Sequence, residues 1–396
     1  MYGMGENYLS ALAVYLGYSA LQISILHSVP QFIGSFVQLF SNQLLALIKS
    51  QKQFVVVLSY FHAFLWLVLV GILVYLNNYY MILIWMIIYF IVSFLINPVW
   101  ISWIGYIVPR QIRGTYHGIR NRNINSFVLI AILLGGYILD LLDKNLMYGF
   151  FILFTISFVG RFLSSYFLEK KDDYIIDSDS SQTSYMKFLN NKLSRHFIIF
   201  KFMINFSIMF LGSLFAIYIL RSLNMNNLVL GYCGASWWLG NIVSSKYWGK
   251  LSKKSGYISI LKSTTFYLML LPIAWILVFY ISESFKLYII LSLSFIAGIT
   301  FSGFSLSSFN IVYEIVEKSD VVRFTSLLRF SEGLGILISS VLAGMIVDSL
   351  YINKFLIGYN FSSIQLSMSI SMILRIYCYF YIKKYEETII IKSSID

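Results

Sequence analysis

His27, Gln31, Gly34, Gln38, Ser41 and Asn42 recur through an otherwise oily stretch at the spacing of one helix face. At about 100° per residue they fall on a single stripe roughly 100° wide. An imidazole, amides and a hydroxyl so aligned can hydrogen-bond a small organic solute. A helix that carries them cannot face hydrocarbon all round, because each unpaired polar group there costs several kcal/mol. Aromatic faces with an amide beside them recur elsewhere: Asn97, Trp100 and Trp103 at threefold spacing, and Tyr232, Trp237, Trp238 and Asn241. Such rings can stack on a flat organic molecule while an amide fixes its orientation, although tryptophans near helix ends also anchor a protein at the membrane interface. Asn205 and Asn310 add two amides inside apolar runs. The candidate solute contacts are therefore His27, Gln31, Gln38, Asn97, Trp100, Asn205, Trp238, Asn241 and Asn310.

Carboxylates are scarce in the apolar runs. Glu6 falls in the short first helix, Glu314 at the end of the tenth span and Glu332 in the eleventh, all away from the outer loops. A group that titrates inside a membrane can couple solute movement to protons, so these three and His27 are the coupling candidates. Glu314 and Glu332 also stand near Arg323 and Arg329, and ion pairs that form in one conformation and break in another make a gate. For those two carboxylates the gate is the preferred reading.

Other chemistries find no residues to carry them. His27, His62, His117 and His196 are too scattered for a metal motif, and Cys233 and Cys378 lie far apart inside apolar stretches, where they read as small packed side chains. The chain has no Gly-x-x-x-x-Gly-Lys-Ser/Thr loop, no His-Glu-x-x-His pair and no Gly-x-Ser-x-Gly elbow. A nucleotide-driven pump and an intramembrane hydrolase are therefore excluded as expectations, and no catalytic residue, metal or cofactor is assigned.

Elements of a particular kind must position these side chains. Of 396 residues, 59% are hydrophobic and only 12% charged, with a mean hydropathy of +0.77. A soluble domain is about 25% charged, so this chain lacks the polar surface to cover a water-soluble globule. At about 20 apolar residues per bilayer crossing, it accommodates about twelve helical spans. Long apolar runs cover 20–48, 54–76, 79–107, 124–143, 146–168, 197–220, 227–248, 257–281, 287–313, 327–350 and 361–382. Ahead of them residues 4–17 make a short first helix, either a natural half-span or the remainder of one cut by the choice of start. No basic leader with a cleavage site precedes the first run.

The formal net charge of +12 raises nucleic acid as a partner, but its distribution points to a bilayer instead. Twenty-five of the 29 Lys and Arg residues lie on one alternating set of connections and their flanks, against Lys144, Arg221, Lys286 and Lys354 on the other. Positive residues stay on the cytoplasmic side, which places both termini inside a cell membrane. Arg110, Arg113, Arg120 and Arg122 then meet acidic headgroups. The polar stretch 169–196 reads as a cytoplasmic linker between a six-helix bundle at 1–168 and another at 197–385, with a tail at 386–396; its Asp172, Asp173 and Asp177 are a solvated patch.

The halves repeat one another. Ile107-Val108-Pro109-Arg110, then Arg113 and Thr115, then Gly136 to Asp140, are matched by Ile315-Val316-Glu317-Lys318, then Arg323 and Thr325, then Gly344 to Asp348. Duplicated six-span halves imply a carrier with a solute site near the bilayer midplane.

These residues resemble the major facilitator superfamily over nearly the whole chain. Asn97 to Arg122 is similar to its segment joining spans four and five, Leu16 to Leu26 to its first outer turn, and Trp248-Gly-Lys-Leu-Ser-Lys-Lys-Ser-Gly256 to its glycine- and basic-rich loop between spans eight and nine. Ile48 to Gln53, the first-half copy of that loop, lacks the usual aspartate. Tyr106 stands where an acidic residue is common, and Gly135-Gly136 lacks the proline of the antiporter pattern. The resemblance implies an all-α polytopic fold of two six-helix bundles related by a pseudo-twofold axis. It further implies a monomeric secondary carrier that moves a small organic solute by alternating access; proton coupling is an expectation that comes from Glu6, Glu314, Glu332 and His27. The competing reading is a receptor or scaffold of the same shape that moves nothing.

Overall fold

The computed structural model describes residues 1–40, 44, 50–107, 113–173, 185–317, 320–349, 356 and 361–393. Twelve principal helices order them. A 3-10 turn, Glu6–Tyr8, leads into the short α1, Leu9–Tyr15. There follow α2 (Ala20–Gln38), α3 (Gln51–Tyr75), α4 (Tyr79–Ile107), α5 (Arg113–Leu141) and α6 (Leu146–Glu169). The second half holds α7 (Lys192–Gly212), α8 (Asn227–Ser255), α9 (Tyr257–Val278), α10 (Glu283–Ile315), α11 (Val321–Asp348) and α12 (Ser363–Ser393). Among the described residues nine helices are long and apolar enough to cross a membrane. α8 and α12 have the length as well but are less apolar.

Residue contacts divide the chain into two units, one of residues 1–13 and 26–182, the other of residues 14–25 and 183–396. In the first unit α3 packs against α4 and α6 through large rings. Trp66 meets Trp85 and Tyr89 edge-on, at 5.4 and 5.1 Å between centroids, and stacks on Phe154 at 5.4 Å. Lipid is as apolar as these side chains, so dispersion and hydrogen bonding hold the helices together rather than water exclusion. Trp85 accordingly donates its indole N–H to the Leu65 carbonyl at 2.5 Å. A second cluster joins Phe54 and Val55 to Val92, Leu95, Ile96, Val99 and Trp103. At its edge Ser50 caps α3 by accepting from the Gln53 amide and donates to Asp173 at 2.8 Å.

In the second unit α8 and α10 approach closely at Gly240 and Gly298. A Cβ on Gly298 would lie 2.0 Å from the Trp237 carbonyl oxygen, and one on Gly240 would lie 2.2 Å from that of Phe295. Only a residue without a side chain fits, because the obstacle is backbone.

Pro272 sits inside α9 and has no N–H, so the carbonyl of Leu268, four residues earlier, loses its helical partner. Arg375 of α12 donates to that carbonyl at 2.7 Å and is only 3% exposed. Removing either partner of this contact should expose its dependence on the other. A double-mutant cycle of Arg375→Met and Pro272→Ala, read by thermal unfolding, is expected to show coupling of about 1 kcal/mol, because alanine in place of the proline restores the missing amide. Additive effects would contradict the assignment.

Three basic residues assigned by sequence to the polar connections and their flanks belong inside the helices. Arg161 donates to Ser59 at 3.1 Å, Lys201 pairs with Glu332 at 2.8 Å, and Arg375 serves Leu268. Burial among polar partners, not snorkelling to a headgroup, accounts for them. The second end of the expected linker is ordered: a five-residue helix, Met186–Asn190, docks by Phe188 on Phe324 and by Lys187 on Asp320 at 2.7 Å. The Asp320 carboxylate holds the Lys187 ammonium above the ordinary lysine range.

Candidate functional site

The first unit holds a buried polar cluster that sequence reading found only in part. Glu6, in the turn before α1, accepts a 2.7 Å hydrogen bond from the Tyr89 hydroxyl of α4. His62 of α3 stacks on the Tyr89 ring with 4.1 Å between centroids, and neither of its ring nitrogens meets a hydrogen-bond partner. Arg161 of α6 closes the group by bonding Ser59, one turn before His62, and lies near enough to act on the Glu6 charge. A carboxylate, a phenol, an imidazole and a guanidinium thus share one interior, where low dielectric makes each charge strongly felt by the next. Such a group can take up and pass a proton. In sequence His62 is one of four scattered histidines and Arg161 one of the cations beside a connection, so nothing there shows that they meet. Their signal was Ser59, His62 and Trp66, which share one face of an oily helix.

The second unit holds an ionic triad. Glu332 of α11 accepts from Lys201 of α7 at 2.8 Å through one oxygen and from Arg329, one turn earlier, at 3.0 Å through the other. Side chains of Lys201 and Glu332 are each 10% exposed, whereas that of Arg329 is 58% exposed. The Lys201 ammonium also lies 5.0 Å over the ring of Phe304 in α10, a cation–π contact. Glu314 is exposed at the end of α10, and Arg323 is half-buried near the start of α11.

The other candidates lie on α2, α4, α7, α8 and α10. On α2, His27 and Gln31 are half-buried and Gln38 is buried, while Gly34 between them packs against Phe90 and Phe94 of α4. Ser41 and Asn42 lie outside the described residues, as do Val108, Pro109, Arg110 and Lys318 of the repeat. Three candidate amides turn back on their own helices: Gln31 donates to the His27 carbonyl at 2.9 Å, Asn205 to that of Lys201 at 2.9 Å, and Asn310 to that of Leu306 at 2.8 Å. Each satisfies an amide N–H locally, as a polar side chain in a membrane helix must. Asn97 is exposed; Trp100 is half-buried with the Arg120 guanidinium 4.2 Å from its ring, and Trp103 is core, donating to the Asp172 carbonyl at 3.1 Å. Trp237 and Trp238 meet edge-on at 5.1 Å, and the Asn241 carbonyl accepts from Ser302 at 3.1 Å.

Asp348 ends α11 by capping another helix. Its two oxygens accept from the amides of Ala20 and Leu21 at 2.9 and 2.8 Å, N–H groups of the first turn of α2 that have no partner within their own helix. Arg221 donates to the Val14 carbonyl at 3.0 Å. These contacts hold residues 14–25 within the second unit.

No protein-family model matches the chain, and no curated protein matches it in sequence. Solved structures do match. A mutant form of the nucleoside transporter NupG is similar over 97% of this chain and 96% of its own, with a TM-score of 0.74 at 12% identity. A bacterial homologue of the iron transporter ferroportin, inward-facing, matches 96% of this chain and 93% of its own, with a TM-score of 0.69 at 14% identity. A bacterial homologue of the human lysosomal transporter Spinster, also inward-facing, matches 96% and 92%, with a TM-score of 0.68 at 13% identity. At such identities the likeness is one of fold. The chain has the twelve-helix architecture of major facilitator transporters and is a multi-pass membrane protein.

Proposed function

We propose that the protein is a secondary carrier of the cell membrane, with both termini cytoplasmic, that moves a small organic solute by alternating access between two six-helix bundles and draws on a proton gradient. The observation that carries this reading is the cluster of Glu6, Tyr89, His62 and Arg161 buried inside a transporter fold. Ionisable side chains inside a membrane are costly to hold there, and a fold that needs only helix packing has no use for four of them. Glu6 is the proton acceptor, Tyr89 orients it through its hydroxyl, His62 packs on the Tyr89 ring, and Arg161 sets the local potential. The nucleosides and iron named for proteins of like fold differ in chemistry, which supports a carrier without selecting its cargo.

A thermal-shift screen of the purified protein against a metabolite library supplies a working solute, because a ligand stabilises the folded state by mass action. In proteoliposomes, uptake of that solute is then expected to rise with an imposed pH gradient. Glu6→Gln should abolish gradient-driven accumulation while leaving solute exchange at zero gradient. Uptake indifferent to the gradient would overturn the coupling. Absence of uptake for every stabilising solute would overturn the carrier and favour a receptor of the same shape.

A further inference from the structure

The ionic triad of the second unit is unbalanced. Lys201 and Arg329 bring two positive charges to the single carboxylate of Glu332, and among the described residues no other Asp or Glu forms an ion pair with either cation. Lys201 lies nine residues into α7, Glu332 eleven into α11 and Phe304 eleven before the end of α10. Because successive spans run antiparallel, all three lie about 14–17 Å along their helices from ends on the same side, at 1.5 Å per residue. Hydrocarbon is about 30 Å thick and these helices overhang it, so side chains that far from the helix ends lie inside it. An excess positive charge held there is unfavourable unless an anion joins it.

Geometry also offers the anion a seat. One carboxylate, that of Glu332, already spans both cations, so their spacing suits a carboxylate shared between them. Arg329 retains N–H donors and is more than half exposed, and a guanidinium at this depth is tolerated where it faces water rather than lipid. The Phe304 ring, 5.0 Å from the Lys201 ammonium, steadies the cation without competing for it by charge.

We propose that Lys201 and Arg329 bind the carboxylate of the transported solute, which brings the set to neutrality, so that the carrier's substrates are small organic acids. This rests on the carrier reading above. Glu332 is a positioning residue that holds the two cations for the incoming anion and competes with it. Neutral solutes leave the excess charge uncompensated and bind worse.

The test uses the full chain in detergent at constant ionic strength, with acetate, lactate, succinate, citrate and benzoate each compared with its amide and with chloride. At least one acid should raise the thermal midpoint while its amide and chloride do not. Arg329→Gln, referred to its own unliganded midpoint, should abolish that rise. Glu332→Gln, referred to its own unliganded midpoint, should give the same rise at about tenfold lower concentration, because one more unit of positive charge faces the ligand. A purely structural network predicts instead that Arg329→Gln leaves the ligand effect intact. Stabilisation by the amides equal to that by the acids, a response unchanged in Arg329→Gln, or no response to any of the five acids overturns the proposal. Vesicle uptake of a neutral solute that is unaffected by Arg329→Gln would sink the organic-acid assignment and leave the carrier standing.

Discussion

Gly298→Val is expected to prevent accumulation of folded protein, and Gly298→Ala to lower its stability by at least 2–3 kcal/mol, toward or beyond the top of the range of about 1–3 kcal/mol seen when a packed core is overfilled. A Cβ at this position would stand 2.0 Å from the Trp237 carbonyl oxygen and 2.8 Å from its carbon. Neither atom can swing aside as a side-chain end could. Relief requires α8 and α10 to separate along their length, and the reciprocal contact of Gly240 with the Phe295 carbonyl would part with them. In lipid that loss is not offset by hydrophobic gain elsewhere, because close backbone approach is itself the source of association. Yield of monodisperse protein and its thermal midpoint measure the effect. A well-folded Gly298→Val protein with an unchanged midpoint would contradict the packing described.

The second large effect is expected at the Lys201–Glu332 pair. Glu332→Leu leaves the Lys201 ammonium buried beside Phe304 with no carboxylate, and removal of one partner from a buried pair costs about 3–5 kcal/mol. Lys201→Met should cost less, because Arg329 still serves Glu332. The double substitution should recover most of the loss, since an apolar pair of similar size replaces two desolvated charges. Chemical unfolding in detergent reads the cycle, and additive losses would mean that the two residues do not share an interaction.

Run lengths and charge alternation made the helices legible. Residues 79–107 were read as one apolar run and form one helix with those bounds, and the short first helix was visible in residues 4–17. What periodicity could not deliver is the partner of a polar residue. Lys201 and Arg375 look in sequence like any basic residue beside a span, since a snorkelling cation and a buried one have the same neighbours in the chain. Their partners decide the matter, and these stand far away, Leu268 being 107 residues before Arg375. The stripe on α2 illustrates the converse. Its spacing identifies a face, but Gly34 on that face packs against α4, a contact no 100° repeat reveals.

Alternation of access is the central claim, and labelling tests it most directly. Cysteines placed at Gln31 and Asn310, with buried Cys233 and Cys378 replaced by serine, can be exposed in oriented vesicles to a membrane-impermeant thiol reagent from either side. Each position should react from both faces, and the working solute should shift the balance between them. Reaction from neither face, with labelling only by a lipid-soluble reagent, would contradict the account.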